Sequence, residues 1–270
     1  MSQDVNLDGK IVLVTGASRG IGESIAKRFA ACGAAVAVSA RTVEEGDHQF
    51  AGSIARTASA IRDAAGTAVT VPADLSREED RIRLVETVTR ELGPIDILVN
   101  NAAITYFTPV HDFDHKRWKL MFDVQVLAPF HLSQMVIDNM HQRGAGWILN
   151  ISSPAARHPQ GPPYFLGGGT VYGMCKAALE RFTTGLASEV YQSNIAVNAL
   201  SPTGLVVTPG VVHHKLDQRI PKANHEPAAV MAEAALFLCS GDPKILTGRV
   251  TYSQEFLTEI SVDWKTLHDG

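Results

Sequence analysis

Residues 10–22 read Lys-Ile-Val-Leu-Val-Thr-Gly-Ala-Ser-Arg-Gly-Ile-Gly, and this stretch decides the fold. Its first six residues, KIVLVT, are an aliphatic, β-branched run without polar alternation, which predicts a strand buried on both faces. Glycines follow at 16, 20 and 22, and a helix-period segment then runs to about Cys32. Strand, glycine-rich turn and helix in that order open a βαβ unit, whose strands pair in parallel. Gly16 supplies the backbone angles of a tight turn. Gly20 lets the chain approach a pyrophosphate, and Gly22 lets the helix pack closely on the strand. The free N–H groups and the helix dipole there favour an anion. Gly16, Ser18, Arg19, Gly20, Ile21 and Gly22 are therefore the candidate phosphate-binding residues. The GxxxGxG spacing differs from the GxGxxG dinucleotide fingerprint, but the physics is the same.

Outward from this turn, short β-branched runs alternate with longer amphipathic segments. Strands are predicted at 34–39 (AAVAVS), 67–71, 95–99 (IDILV), 146–151 (GWILNI) and 195–199 (IAVNA), with a charged helix over about 77–92. The alternation predicts an α/β fold: a doubly wound parallel sheet of about seven strands in three layers, α/β/α. All 270 residues are read as one domain, with dinucleotide binding in the N-terminal half and catalytic and substrate loops in the C-terminal half. Two stretches read as insertions into that plan. Residues 42–56 contain VEEGDHQFAGS, and residues 154–169 (PAARHPQGPPYFLGGG) are rich in Pro and Gly. Long loops in compact domains are more often functional than accidental, although a tolerated surface insertion has the same appearance.

Composition narrows the function classes. Apolar residues make up 45% of the chain, enough for a sizeable core, and the net charge is −4 with the two signs interspersed. A nucleic-acid or membrane-surface partner would want a basic stripe instead. Cys32, Cys175 and Cys239 are odd in number and form no CxxC pair, which fits a reducing compartment. The first ten residues lack the apolar core of a signal peptide, and no apolar run is read as reaching bilayer-spanning length. A cytoplasmic setting is expected. His111, His115, His131, His141, His213 and His214 lack metal-ligand spacing, so no metal site is expected.

Tyr172 and Lys176 open a long helical pattern four residues apart, so phenol and ammonium share one helix face. Tyrosine titrates near pH 10, and a neighbouring Lys⁺ favours its phenolate, so Tyr172 is the candidate proton carrier. Asn150-Ile151-Ser152-Ser153 ends one predicted strand and Asn100-Asn101-Ala102-Ala103 another. Both ends fall at the carboxyl edge of the sheet, where doubly wound folds bind ligands. A serine hydroxyl there suits a substrate carbonyl oxygen. At the end of the second strand, where NAD-selective sites place an acid, the chain has Ala40 and then Arg41. Arg41 and Arg19 suit a 2′-phosphate, which a carboxylate would repel, so NADP is expected over NAD. A solvated Arg41 after a strand is the plainer alternative.

TGASRGIG, VNNAA, NISS, YGMCK and VNALSP occur together in the order and approximate spacing of the short-chain dehydrogenase/reductase family. Over about residues 8–250 the chain resembles that family, which implies a Rossmann-type fold and a homodimer or homotetramer. The resemblance assigns Tyr172 as general acid/base, Lys176 as holder of the nicotinamide ribose, and Ser153 as stabiliser of the reacting oxygen. It assigns Asp74, with Leu75 beside it in PADLS, to the adenine, and Asn101 and Ala102 to the cofactor cleft. Pro202 and Thr208 fall in the segment that closes over the nicotinamide. RTxxxGDHxxxGSIxRTASAI and ILTGRVTYSQEFLTEI look like the hydroxysteroid dehydrogenase-like branch. Tyr106, Phe107, Tyr164, Phe165, Leu205, Val206 and Val207 fall at the expected cleft edge, as an apolar pocket or as ordinary core.

Three departures stand against the family pattern. Gln125 occupies the place of the usual catalytic asparagine, nineteen residues separate Ser153 from Tyr172 where the family has fewer, and Ser201-Pro202-Thr203-Gly204 replaces a Pro-Gly pair. The extra GPPYFLGGG is read as a substrate-side lid. The expected activity is NADP(H)-dependent hydride transfer to or from a carbonyl or secondary alcohol of a small, moderately apolar substrate. Two alternatives stand beside it: a non-catalytic NADP-binding sensor or scaffold with a degenerate site, and a 3-oxoacyl-carrier-protein reductase.

Overall fold

The computed structural model describes residues 5–161 and 168–269. Among them, β1 (Ile11–Thr15), β2 (Ala35–Ser39), β3 (Thr67–Thr70), β4 (Ile97–Asn100), β5 (Gly146–Ile151), β6 (Ile195–Ser201) and β7 (Val250–Tyr252) form one parallel sheet. The order is β3-β2-β1-β4-β5-β6-β7, the expected doubly wound arrangement. Six strands lie within two residues of their predicted bounds. The seventh, three residues long, is too short to show a period, and pairing with β6 defines it (Ala199 opposite Val250).

Helices α1 (Gly20–Ala31), α2 (Ile54–Asp63), α3 (Glu78–Glu91), α4 (His115–Phe122), α5 (Ala128–Arg143), α6 (Thr170–Val190), α7 (Pro209–His213), α8 (Ala228–Leu238) and α9 (Ser253–Glu259) flank the sheet. Side chains alternate across a strand, so β1 feeds two cores. Val12 and Val14 join Ile25 and Phe29 of α1 and Met231 of α8. Leu13, between them, joins Leu84 of α3, Leu132 of α5 and Leu186 of α6 on the other face. At roughly 25 cal/mol per Å², each such aliphatic burial contributes about 2 kcal/mol. Because the chain leaves β1 toward β2 and β3, then returns to lay β4 on β1's other side, a crevice opens at the carboxyl ends of β1 and β4.

Two local readings need adjustment, and a third lies largely outside the described residues. α4 and α5 join through a π-helical turn, Asp123–Leu127, into one helix of 29 residues, His115–Arg143, with a stretch of mean hydropathy 1.3. By length and composition that helix is apolar enough to cross a bilayer, contrary to expectation. Part of the apolar character is spent on the sheet, through buried Leu132, Val136 and Met140, while Leu127 and Phe130 stay exposed. The tail of the first insertion begins α2, whose N-cap Ser53 accepts a hydrogen bond from Arg56 N at 3.1 Å. Of the second insertion, residues 162–167 lie outside the described residues, and with them most of the lid and Tyr164 and Phe165.

Candidate active site

The glycine turn is locked from below by β4. Asn101 Nδ2 donates to the carbonyls of Thr15 (2.9 Å) and Gly16 (3.1 Å), and the Asn101 and Ala102 amides reach Thr15 Oγ1. Gly16 has φ +65° and lies so near Ala102 Cα that an added Cβ would sit 2.7 Å from it. A Cβ on Gly22 would collide with Asn101 Nδ2 and the Gly16 carbonyl. Gly20, φ +59°, faces Thr208, whose methyl would be 2.8 Å from a Cβ. Ser18 is buried in the turn and Ile21 follows in the first turn of α1. Arg19, the N-cap, offers no side-chain cap to the first N–H groups of α1. Those groups and the side-chain-free backbone at Gly16 and Gly20 form a cradle that fits a pyrophosphate.

Across the crevice, α6 carries the candidate acid/base pair, Tyr172 and Lys176. Lys176 is buried and its Nζ donates to the Ile151 carbonyl at 2.8 Å, beside the Tyr172 ring (5.7 Å to its centroid). Burial lowers Lys176 to about 8. Ser153 hydrogen-bonds the Tyr172 hydroxyl, and its Oγ also accepts from Ala155 N at 3.2 Å. The three side chains thus converge on one side of the crevice. The electrostatics differ from expectation: burial pushes Tyr172 up from its ordinary value, only partly offset by Ser153. Lowered to about 8, Lys176 has lost its charge before the phenol titrates, so it does not pull the phenol down. Asn100 Nδ2 donates to Asn150 Oδ1, and Asn150 Nδ2 to Thr183 Oγ1, both at 2.9 Å, which pins β4, β5 and α6 together beneath the site.

Gln125 is buried within the π-helical turn, a distortion that recurs at functional sites. Its Nε2 donates to the Ile104 carbonyl at 2.9 Å, and its Oε1 is a buried acceptor lacking a hydrogen-bond partner. Tyr106, Ile104 and Trp118 pack with Met121, Val171 and Cys175 around Tyr172. Phe107 meets the Tyr172 ring edge-on at 6.0 Å. Val206 is buried, and Val207 is exposed beside a cavity of about 450 Å³ that Thr208 also lines.

The two cations expected at the 2′-phosphate, Arg41 after β2 and Arg19 in the glycine turn, behave differently. Arg41 is exposed. Arg19 instead turns onto the first insertion, donating to Thr42 Oγ1 (3.0 Å) and the Gly52 carbonyl (2.8 Å) and meeting His48 Nδ1 at 3.1 Å. Its Nε is a buried donor without a partner. Asp74 Oδ1 accepts from the Ser76 amide and hydroxyl, so its turn is self-capped, and Leu75 is buried behind it. Pro202 follows β6. Thr208 caps α7, its Oγ1 accepting from Val211 N at 3.4 Å.

Sequence reasoning missed Glu226. Both its oxygens accept from Ser253 Oγ (2.8 and 3.0 Å), and Oε2 also accepts from Gly204 N and Gln254 Nε2. This buried carboxylate, raised by burial, ties together both ends of the segment 204–226 that carries Thr208. No motif announces it, because its three partners come from distant segments. His214, packed edge-on against Phe107 at 4.9 Å, is a further part of the site wall that no motif announces.

A doubly wound sheet with a glycine cradle at its switch point and a Ser–Tyr–Lys group across the crevice defines a dinucleotide-dependent oxidoreductase. The sequence pattern described as short chain dehydrogenase matches residues 10–218, and the chain belongs to that family of enzymes. It is similar to the 7alpha-hydroxysteroid dehydrogenase of Escherichia coli K12, with 31% identity covering 92% of this chain and 94% of the relative. It is also similar to human dehydrogenase/reductase SDR family member 4, with 34% identity covering 90% of this chain and 85% of that protein. Among solved structures, a putative NAD(P)-dependent gluconate 5-dehydrogenase from Beutenbergia cavernae, with bound NADP, superposes with a TM-score of 0.80. That match is at 30% identity and covers 92% of this chain and 96% of the other.

Proposed function

We propose that this oxidoreductase uses NADP(H) to interconvert a carbonyl and a secondary alcohol on a small, moderately apolar substrate. The observation that carries the reading is the convergence of Tyr172, Ser153 and Lys176 beneath the aromatic wall of Phe107 and Tyr106. The bound nicotinamide supplies or accepts the hydride. Tyr172 passes the proton to or from the substrate oxygen, and Ser153 donates a hydrogen bond to the same oxygen. Lys176, held on the Ile151 carbonyl, would hold the ribose and position the tyrosine. Gln125 keeps the 101–109 segment against the helix through Ile104 and thereby fixes the substrate wall.

Gly16, Ser18, Gly20, Ile21, Gly22, Asn101 and Ala102 would hold the pyrophosphate side, with Thr208 and Pro202 over the nicotinamide. Asp74 and Leu75 would flank the adenine. Exposed Arg41 is the better candidate for the 2′-phosphate, since Arg19 spends most of its donors on the insertion. A bound NADP in a similar structure supports that preference. The chain acts as one domain, and exposed Leu127, Phe130 and Met174 on α4–α6 suit a homodimer or homotetramer.

The test is turnover of NADPH with a panel of ketones, quinones, steroids and acyl thioesters, with Tyr172→Phe alongside. Turnover should fall by about 100-fold or more in the variant while NADPH still binds. Binding without turnover on any compound would leave a non-catalytic sensor, and no binding at all would sink the reading.

A further inference from the structure

Five ring contacts run unbroken across the mouth of the crevice. Centroid separations are 4.8 Å for His48–Phe50, 5.1 Å for Phe50–His213, 5.0 Å for His213–His214, 4.9 Å for His214–Phe107 and 6.0 Å for Phe107–Tyr172. Every pair is tilted or edge-on, the geometry aromatic quadrupoles favour. The row starts on the first insertion, beside the glycine turn, and ends on the catalytic phenol.

One contact in the row joins the two banks of the crevice. Phe50 belongs to residues 42–53, on the side of α1, and His213 ends α7 on the far side. Phe50 packs outside the three apolar clusters that build the core, so folding of the sheet does not account for its position. Its placement comes from Arg19. That guanidinium holds Thr42 and Gly52 at the two ends of the loop and His48 in the middle. His48 Nδ1 also accepts from Phe50 N at 3.1 Å, and Arg19 lies 5.8 Å from the Phe50 ring centroid. Gly52 completes the anchor, for a Cβ there would sit 2.5 Å from the Ser18 carbonyl. Thr208 lies against Gly20, and with Phe50 and His213 it lines the cavity of about 450 Å³.

We propose that residues 42–53 form a strap over the dinucleotide crevice, closed by Phe50 against His213, and that this contact slows release of the bound cofactor. The proposal rests on the reading that the crevice takes a nicotinamide dinucleotide. Arg19 is the anchor of the strap, which explains why a cation next to the phosphate cradle points away from it. The insertion is then part of the cofactor site and has no direct part in the chemistry. Because His213 leads through His214 and Phe107 to Tyr172, closing the strap also sets the substrate wall.

The experiment is stopped-flow displacement of prebound NADPH by excess oxidised dinucleotide, followed by nicotinamide fluorescence. The proteins are wild type, Phe50→Ala, His213→Ala, the double variant and Phe50→Tyr. An aromatic pair of ordinary strength predicts a release rate about threefold to tenfold higher in each alanine variant. The double variant should release no faster than the faster single one, because both remove one contact. Phe50→Tyr, which keeps the ring, should return the rate to that of wild type. Rates within twofold of wild type in both single variants, or effects that multiply in the double, would overturn the strap alone. A wild-type protein that binds neither dinucleotide would overturn the strap together with the functional reading beneath it.

Discussion

Gln125 and the Ile104 carbonyl are joined by a 2.9 Å hydrogen bond across the start of the substrate wall, made from inside a π-helical turn. The glutamine stands where the family resemblance implies an asparagine, and its amide nitrogen is what reaches Ile104. The side chain is thus occupied with holding a loop.

Gln125→Asn should therefore keep turnover to within about threefold while losing the bond. A net hydrogen-bond contribution of about 1 kcal/mol predicts a small drop in melting temperature. Thermal unfolding and kcat measured on the same preparation decide it. A large loss of kcat with unchanged stability would return the side chain to the proton path.

Gly22→Ala should abolish dinucleotide binding or destabilise the fold, because the methyl has nowhere to go between Asn101 and the Gly16 carbonyl. Overpacking of this kind costs about 1–3 kcal/mol. Fluorescence titration with NADPH, beside a denaturation curve, separates the two effects.

Arg41→Asp should reverse cofactor preference. Losing a charge-assisted bond and adding repulsion removes about 2 kcal/mol or more of NADPH affinity, while NADH affinity is kept or improved. Equal weakening for both dinucleotides would assign Arg41 to general electrostatics.

Lys176 carries a pH signature. Its native value of about 8 lies below its ordinary 10.5. Between these values the unfolded chain holds a proton that the native protein has released, so stability rises with pH through that window. Below it, the native state bears the cost of a buried charge, at most on the order of 3 kcal/mol. Lys176→Met should thus raise the melting temperature at neutral pH, less the lost bond to Ile151, and the advantage should vanish toward the ordinary lysine range. Calorimetry across that range tests the sign.

Tyr172, held up by burial, stays protonated through neutrality. Ketone reduction should be flat there, while alcohol oxidation, which needs the phenolate, should climb with alkalinity. Initial rates in both directions report it, and a reduction rate that fell through neutrality would contradict the burial.

The sequence by itself determined the sheet and which residues gather at its carboxyl edge. Aliphatic runs such as IVLVT and GWILNI leave no polar face for water, and the glycine spacing at 16, 20 and 22 has few uses other than an anion cradle. Tyr172 and Lys176 were legible because one helix face fixes their relation locally. What only the tertiary structure decided depends on contacts between segments far apart in the chain. Thr57 Oγ1 on the Ala17 carbonyl, Glu226 on Ser253, Gln125 on Ile104 and Phe50 on His213 leave no local period to read. β7 escaped for the same reason, since three residues become a strand only when β6 offers them an edge. The raised tyrosine likewise follows from desolvation, a property of everything packed around the group, which a neighbour four residues away in sequence could not reveal.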